Sequence, residues 1–393
     1  MVFSPNSRLT SALLAVCAIA PAWAQDDPGF KFKADYNLVS DNNLFRLPAG
    51  AGASEQISVY GAGVSYRGAH SLQRFELDLA LRENRYQHFS YLNHTAGNYN
   101  AAWRWSLTPR THGTLSHEHS EALNSFADYQ NLGSSNKRTN SHTRFDATHE
   151  LSGPWRLVGG LSQLRQTNQQ ALSTEGDYSA RAADVGVRYV FASGSSFTYS
   201  HKNTSASYLN RTLPSAGLLD DGYDQRDDEL RAHWVITGKS TLDASAGHTS
   251  RTHPNYAQRN YSGVNANTSL RYSFSGKAAL VAGLQRELSS YQSSSANYTR
   301  TDRLSLGPVW QISPKTVLRL NLQFTQRDYL GTPTGAVANP RHDTLRDATL
   351  ALEWKPYNAL TISTALQDAR RRSNQAGLDY KASLITVTAQ YAY

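Results

Sequence analysis

The end of the chain alternates between apolar and polar side chains with a strict spacing of two. The apolar positions are Ile385, Val387, Ala389, Tyr391 and Tyr393, and the same alternation recurs through most of the sequence. Successive side chains of a β-strand point to opposite faces, so each such segment has one apolar and one polar wall. Repeated along a chain, this pattern is typical of a closed membrane barrel. We therefore predict an all-β fold, a transmembrane antiparallel up-and-down β-barrel.

The first 24 residues are typical of a cleavable signal peptide. Arg8 precedes an apolar run that begins near Leu13, and Ala22-Trp23-Ala24 forms a small-residue cleavage site before Gln25. A lipoprotein acylation site at Cys17 is the weaker alternative, because Val16 is bulky for the position before the cysteine. We expect residues 1–24 to be removed and residues 25–393 to form one outer-membrane barrel.

Sulfur chemistry is excluded from the mature chain, since the one cysteine and the one methionine are Cys17 and Met1. No cofactor is predicted. The mean hydropathy is −0.55, and no run after the signal approaches the ~20 apolar residues of a spanning helix. Lys plus Arg exceed Asp plus Glu by 39 to 31, but these charges are scattered, which speaks against a nucleic-acid partner.

Short turns and longer polar loops alternate between the strand segments, as periplasmic turns and extracellular loops do in barrels. The tight turns are expected near residues 68–70, 108–109, 152–154, 192–195, 237–239, 275–277, 313–315 and 355–358. The long loops are expected at 41–54, 84–94, 120–138, 167–177, 204–226, 251–259, 290–298, 329–343 and 371–378. This gives about 18 strands with both termini in the periplasm. Sixteen is the alternative, because residues 30–66 and 196–248 alternate less cleanly.

Charged residues decide which wall faces the interior. One strand carries Leu77, Leu79 and Leu81 on one parity and charged residues such as Glu76 and Asp78 on the other. An Arg at the lipid midplane costs roughly 2–4 kcal/mol, so the charged parity must face the lumen. The predicted pore-lining residues are Arg74, Glu76, Asp78, Arg82, Arg104, Arg144, Arg188, Arg231, Arg271, Arg303, Arg319, Asp347 and Glu353.

Two readings of these lumen charges remain open. They either form a hydrated path for a polar solute or pair across strands and stiffen the wall. Aromatic residues beside the tight turns, such as Trp103, Trp105, Trp310 and Trp354, predict a girdle at one membrane interface.

The sequence gives weak support for metal binding or catalysis. His117 and His119 share a strand face, but two ligands without a third make a poor metal site, and we expect interfacial histidines. The acidic stretch from Asp220 to Glu229 does not match a calcium-loop spacing, and we expect a solvated loop. No compact catalytic cluster is apparent, so no catalytic or metal residues are predicted and the chain is not expected to be an enzyme.

The first long loop places apolar residues among turn formers, in the order Asp41, Asn42, Asn43, Leu44, Phe45, Arg46, Leu47 and Pro48. Exposed apolar loop residues usually pack onto another surface. The loop either folds against the rim, or it forms an inward constriction or a partner contact.

That segment, just after a signal peptide and a first strand, resembles the start of the EpsL-type outer-membrane proteins of exosortase B and PEP-CTERM extracellular-polysaccharide systems. The rest of the chain agrees only in architecture. The resemblance implies an outer-membrane β-barrel of the porin-like type. It also implies action in polysaccharide export with periplasmic and inner-membrane synthesis and export proteins, and no catalytic residues.

The sequence therefore leads us to expect an outer-membrane barrel that serves as a passive conduit for a secreted polysaccharide, or as an accessory to one. Its partners would be outer-membrane lipid, the polysaccharide and the export machinery. A general diffusion porin is the first alternative, and an outer-membrane enzyme is the less favoured one.

Overall fold

A computed structural model describes residues 29–128, 135–170, 176–215, 217–291, 293, 295–332 and 339–393. The expected signal peptide, residues 1–24, lies outside this range. The strands are β1 Gly29–Asp41, β2 Glu55–His70, β3 Gln73–Tyr86, β4 His94–Thr108, β5 Thr111–Leu123, β6 Lys137–Glu150, β7 Trp155–Asn168, β8 Tyr178–Val190, β9 Ser196–Tyr208, β10 Gly222–Thr237, β11 Ser240–Thr252, β12 Tyr261–Ser273, β13 Ala278–Ser290, β14 Tyr298–Ser313, β15 Thr316–Leu330, β16 His342–Tyr357, β17 Leu360–Ser373 and β18 Tyr380–Ala392. Two short 3-10 helices, Ser90–Leu92 and Ala257–Arg259, lie in the connections. No helix among the described residues is long and apolar enough to cross a membrane.

Each strand pairs antiparallel with its neighbours in sequence, and β1 also pairs with β18, so the 18-stranded sheet is closed. The closing register runs from Lys33 opposite Ala392 to Asp41 opposite Leu384. Closure leaves no sheet edge with unpaired backbone groups, which is what the interior of a bilayer demands. The predicted fold and the count of 18 are confirmed, and the alternative of 16 strands is wrong.

All eight tight turns join strands at one end of the barrel, which we call the turn end. Both β1 and β18 also have their terminal ends there. The long connections meet at the opposite, loop end. The connection from β9 to β10 is shorter than expected, because β9 reaches Tyr208 and β10 begins at Gly222.

The outer face is apolar across the middle of the barrel. Leu79, Leu161, Leu284, Leu350 and Ile385 each expose between 41% and 60% of their surface, as expected for side chains that contact lipid rather than a protein core. An apolar band around a closed barrel places the chain in the bacterial outer membrane, as predicted.

Most of the predicted aromatic girdle faces outward at the turn end, with Trp310 and Trp354 about half exposed. Trp105 differs, because it is buried and stacks on Phe145 with the ring centroids 5.5 Å apart. Its indole covers Gly113, where a Cβ atom would lie 1.9 Å from the carbonyl oxygen of Asp146. Only glycine permits this close approach of β5 and β6.

Candidate functional site: the barrel interior and its crossing loop

The polar face of every strand points into the barrel, and all the predicted pore-lining residues lie on that face. The strand register shows this inward orientation directly. Arg74 on β3 is opposite Arg104 on β4, and Arg303 on β14 is opposite Gln285 on β13. The apolar outward residues occupy the other parity throughout. That these residues line a conducting path stays a prediction.

Many of these lumen charges are paired across or along the wall. Arg104 Nε lies 2.6 Å from Glu76 Oε1, and Arg319 Nη1 lies 2.9 Å from Glu353 Oε2. Arg144 forms a similar pair with Asp184 at 3.0 Å. Each pair is partly exposed to solvent and contributes little stability alone. Their shared effect is to hold the long side chains flat against the wall.

Other predicted lumen residues have no ion pair among the described residues. These are Arg74, Arg82, Arg188, Arg271, Arg303 and Asp347. Arg188 instead donates to the Thr198 hydroxyl at 3.0 Å. The interior therefore mixes paired wall charges with groups that are available to solvent or solute, and both readings of the lumen charges apply to part of the set.

One long connection, between β5 and β6, crosses the interior with its described residues 124–128, which we call the crossing loop. Asp128 Oδ1 accepts a hydrogen bond from Arg327 Nη1 on β15 at 3.1 Å. The carbonyl oxygen of Ala127 accepts another from Arg371 on β17. Ala127 also packs against Ala369 of β17 and its buried neighbours on β18.

These anchors lie on the far side of the barrel. In the strand order, β15 is separated from β5 by β4, β3, β2, β1, β18, β17 and β16, close to half the circumference. Arg327 and Arg371 are both on the inward parity and both buried, at 6% and 3% exposure. The described part of the loop therefore passes over the lumen and narrows it.

The first long loop supports the crossing loop from the side. The Phe45 ring packs edge-on against Phe126 at 5.0 Å and against Phe89 of the β3–β4 connection at 4.7 Å. Arg46 Nη1 lies 2.7 Å from Asp41 Oδ2, which fixes the turn. The Asp41–Pro48 segment thus packs onto neighbouring loops at the rim, with Phe45 in contact with Phe126 of the crossing loop.

The β3–β4 connection is held in turn by a buried carboxylate. Glu55, at the start of β2, is 2% exposed. Its oxygens accept backbone N–H groups of Gln87, His88 and Phe89 at 2.8 to 3.1 Å. The Glu55 carboxylate thus holds the backbone of Phe89 in place, and the Phe89 ring packs against Phe45.

A second set of buried hydrogen bonds joins the loops on the other side of the barrel. Arg259 is fully buried, and its guanidinium donates to the carbonyl oxygens of Gly217, Leu218, Ser293 and Ala296. It thereby joins the β9–β10, β11–β12 and β13–β14 connections. A charged donor with this many buried acceptors makes the rim rigid.

The expectation of a solvated acidic loop at Asp220–Glu229 is wrong. Asp220 is fully buried, and it accepts the backbone N–H groups of Asn255 and Tyr256 at 2.8 and 3.1 Å. Burial alone would raise the pKa of Asp220, but the hydrogen bonds from Asn255 and Tyr256 bring it below its usual value. Residues 222–229 belong to β10 rather than to a loop.

His117 and His119 face outward beside Tyr99, not into the lumen. His119 stacks on the Tyr99 ring with the centroids 5.0 Å apart, and His117 Nδ1 lies 2.8 Å from the Thr143 hydroxyl. Both histidines lie on the outer face of β5. That they are interfacial stays a prediction.

Comparisons with known proteins identify the fold. A scan of protein families and a search of curated proteins returned no match. Among solved structures, the chain is similar to OccK1 (OpdK) of Pseudomonas aeruginosa, with a TM-score of 0.54 and 13% identity over 93% of this chain and 99% of that one. It is also similar to OccK2 (OpdF) of the same organism in complex with glucuronate, with a TM-score of 0.53 and 14% identity over 93% and 98%. At this identity the likeness shows the fold alone, that of an outer-membrane porin barrel.

Proposed function

We propose that the protein is a passive diffusion channel for small polar solutes, with its bore set by the crossing loop. The long loops would be extracellular and both termini periplasmic, the usual orientation of such barrels. The crossing loop carries the proposal. Barrels of 16–18 strands leave an aqueous channel that wall side chains do not fill, and a loop clamped across it selects by size.

The polar contacts of the interior suit a channel of this kind. A solute passes only where its binding is weak and spread over several sites. Arg188, Arg303 and Asp347 on separate strands offer such contacts with both signs of charge. We choose small carboxylates as test solutes, because two solved structures of similar fold are described in complex with glucuronate and with vanillate.

Reconstitution tests this proposal. The purified protein in a planar bilayer should give stepwise ion conductance, and liposomes that contain it should swell in glucuronate or glucose but not in a long maltodextrin. Bilayers treated with boiled protein are the control. Absence of conductance steps, or equal swelling in sugars of all lengths, would falsify a size-selective channel.

Polysaccharide export is the second candidate. It rests on the resemblance of residues 41–48, and its supporting observation is that Phe45 of this segment contacts Phe126 of the crossing loop. A partner that moved the first loop could thus move the constriction. In a strain that lacks the protein, polymer retained in the periplasm and restored to the medium by the wild-type copy would support export. Unchanged secretion would leave the diffusion channel alone.

A further inference from the structure

The outer wall carries a row of cations where β16, β17 and β18 approach the loop end. Arg346 is directly opposite Arg370, and Arg370 is directly opposite Lys381. They share the outward parity of Leu350 and Leu366, and all three are exposed. Like charges directly opposite each other destabilise a sheet. The fold therefore tolerates electrostatic repulsion at this row of cations, and no contact inside the barrel explains it.

Few carboxylates neutralise this row. Arg372 on β17 adds a fourth exposed cation, and Asp368, which lies 2.7 Å from Arg370 Nε, supplies the one ion pair. Arg346, Arg372 and Lys381 form no ion pair within the described part of the chain. Asp379 is a second exposed carboxylate at this part of the rim, where its Oδ1 accepts the backbone N–H of Ser373, next to Arg372. Four cations against two carboxylates leave an excess of two positive charges.

Arginines on the neighbouring strands are treated differently. Arg286 lies 2.6 Å from Asp302, and Arg300 lies 2.7 Å from Asp328, all on the outward face. The wall thus pairs its cations on β13 to β15, whereas three of the four on β16 to β18 form no ion pair. Arg165 and Arg181 on β7 and β8 are also exposed and lack an ion pair among the described residues, but serine and glutamine, not further cations, lie opposite them, so the larger concentration of positive charge is on β16 to β18.

An apolar groove lies beside the cations. A cavity of about 400 Å³ is lined by Leu304, Leu322 and Phe324 and by Arg346, Arg370 and Arg372, together with Asp368, the partner of Arg370. Leu304, Phe324 and Arg346 are directly opposite one another across β14 to β16, and Leu322 lies two residues nearer the turn end. The Arg346 guanidinium stands over the Phe324 ring, 5.7 Å from its centroid. One groove therefore offers apolar surface and concentrated positive charge side by side.

The height of the groove matches a membrane interface. Trp354 of the turn-end girdle and Arg346 are eight residues apart on β16, about 26 Å along the strand and about 20 Å along a barrel axis at the usual strand tilt. The apolar band of such barrels is about 25 Å tall. The Arg346 backbone thus lies about 5 Å inside the apolar band, where a long arginine side chain can reach the headgroups, and Leu322 lies nearer the middle of the band.

We propose that this outer-wall groove binds a phosphorylated lipid of the leaflet at the loop end. The lipid phosphate would contact Arg346, Arg370, Arg372 and Lys381, while an acyl chain lies along Leu304, Leu322 and Phe324. Arginine forks match phosphate oxygens bidentately, and the apolar half of the groove selects a lipid over free phosphate. This proposal does not depend on what passes through the lumen.

Native mass spectrometry of the detergent-solubilised protein with diphosphorylated lipid A tests the site. R346Q/R372Q leaves the Arg370–Asp368 pair intact. At roughly 1 kcal/mol for each basic residue near an anionic lipid surface, it should weaken lipid A binding about 30-fold. R165Q/R181Q is the matched control, because these two exposed cations face outward on β7 and β8 of the far wall. It should bind lipid A as the wild type does.

Further measurements distinguish a lipid phosphate from free phosphate and verify that the variants are folded. Millimolar inorganic phosphate should not displace lipid A, and phosphatidylcholine should bind the wild type and R346Q/R372Q equally weakly. A heat-dependent shift in gel mobility verifies that each variant is folded, and bilayer conductance should be unchanged. An equal loss in both double variants, or displacement by inorganic phosphate, would overturn the proposed lipid site.

Discussion

Release of the crossing loop should widen the channel. The double variant R327A/R371A removes both side chains that hold the loop to β15 and β17. Asp128 is 34% exposed, so its pair with Arg327 contributes about 1 kcal/mol. The hydrogen bond from the buried Arg371 to the Ala127 carbonyl contributes roughly 2 kcal/mol, as a charged donor does.

A combined loss of about 3 kcal/mol lowers the ratio of docked to undocked loop about 150-fold. Single-channel recording should then show a higher mean conductance and current that fluctuates as the loop moves. D128N tests the ion pair without a change of volume, and it should produce a smaller effect of the same sign.

R319A is the matched control for the bore itself. Arg319 lies on β15 like Arg327, faces the lumen and pairs with Glu353 nearer the turn end, away from the crossing loop. Its truncation should change conductance little. If R319A and R327A/R371A raised conductance equally, the widening would reflect lost side-chain volume, and the proposed clamp would be refuted.

Three further predictions concern the rim and the wall. E55A removes the acceptor of three backbone N–H groups in the β3–β4 connection, so this connection should lose roughly 3 kcal/mol of local stability, seen as faster hydrogen exchange at residues 87–89, whereas E55Q should lose less. G113A should destabilise the barrel and lower its thermal transition, because the added Cβ meets the Asp146 carbonyl, while G276A at an open turn should not. Burial, followed by the charge of Arg251, lowers the pKa of His253 to about 4, below the unfolded value of ~6.5. The rim contribution of His253 is therefore complete above pH 6.5 and is lost as the pH falls towards 4, so limited proteolysis of the loops should accelerate over that interval in the wild type and less in H253Q.

Strand number and strand face could be read from the sequence because both depend on local patterns. Tight turns such as that at Ser313-Pro314-Lys315 have their own residue signature, and alternation fixes the inward parity of residues such as Arg74 and Arg319. Even the less regular β1 and β10 follow, because closure of the sheet leaves them no other partners.

The constriction could not be read in this way, because its contacts join distant parts of the chain. Arg327 and Asp128 are separated by 199 residues, and Arg371 and Ala127 by 244. Neither arginine was among the predicted pore-lining residues, and Arg371 fell in the loop expected at residues 371–378, whereas β17 extends to Ser373. The length of the loop at residues 120–138 was the available signal that a segment could reach across the lumen. The burial of Asp220 was missed for a similar reason, since its partners, Asn255 and Tyr256, belong to the next loop.

The position of the loop anchors has a consequence for biogenesis. The crossing loop leaves the sheet early in the chain, after β5, but its holding residues belong to β15 and β17 near the carboxyl terminus. Contacts of such long sequence separation form late, and the far wall stands opposite the loop only once β18 has paired with β1. A half-assembled barrel has no wall for the loop to dock on. Closure of the barrel and narrowing of its lumen by the crossing loop should therefore occur together. The lumen is least constricted just before β1 pairs with β18.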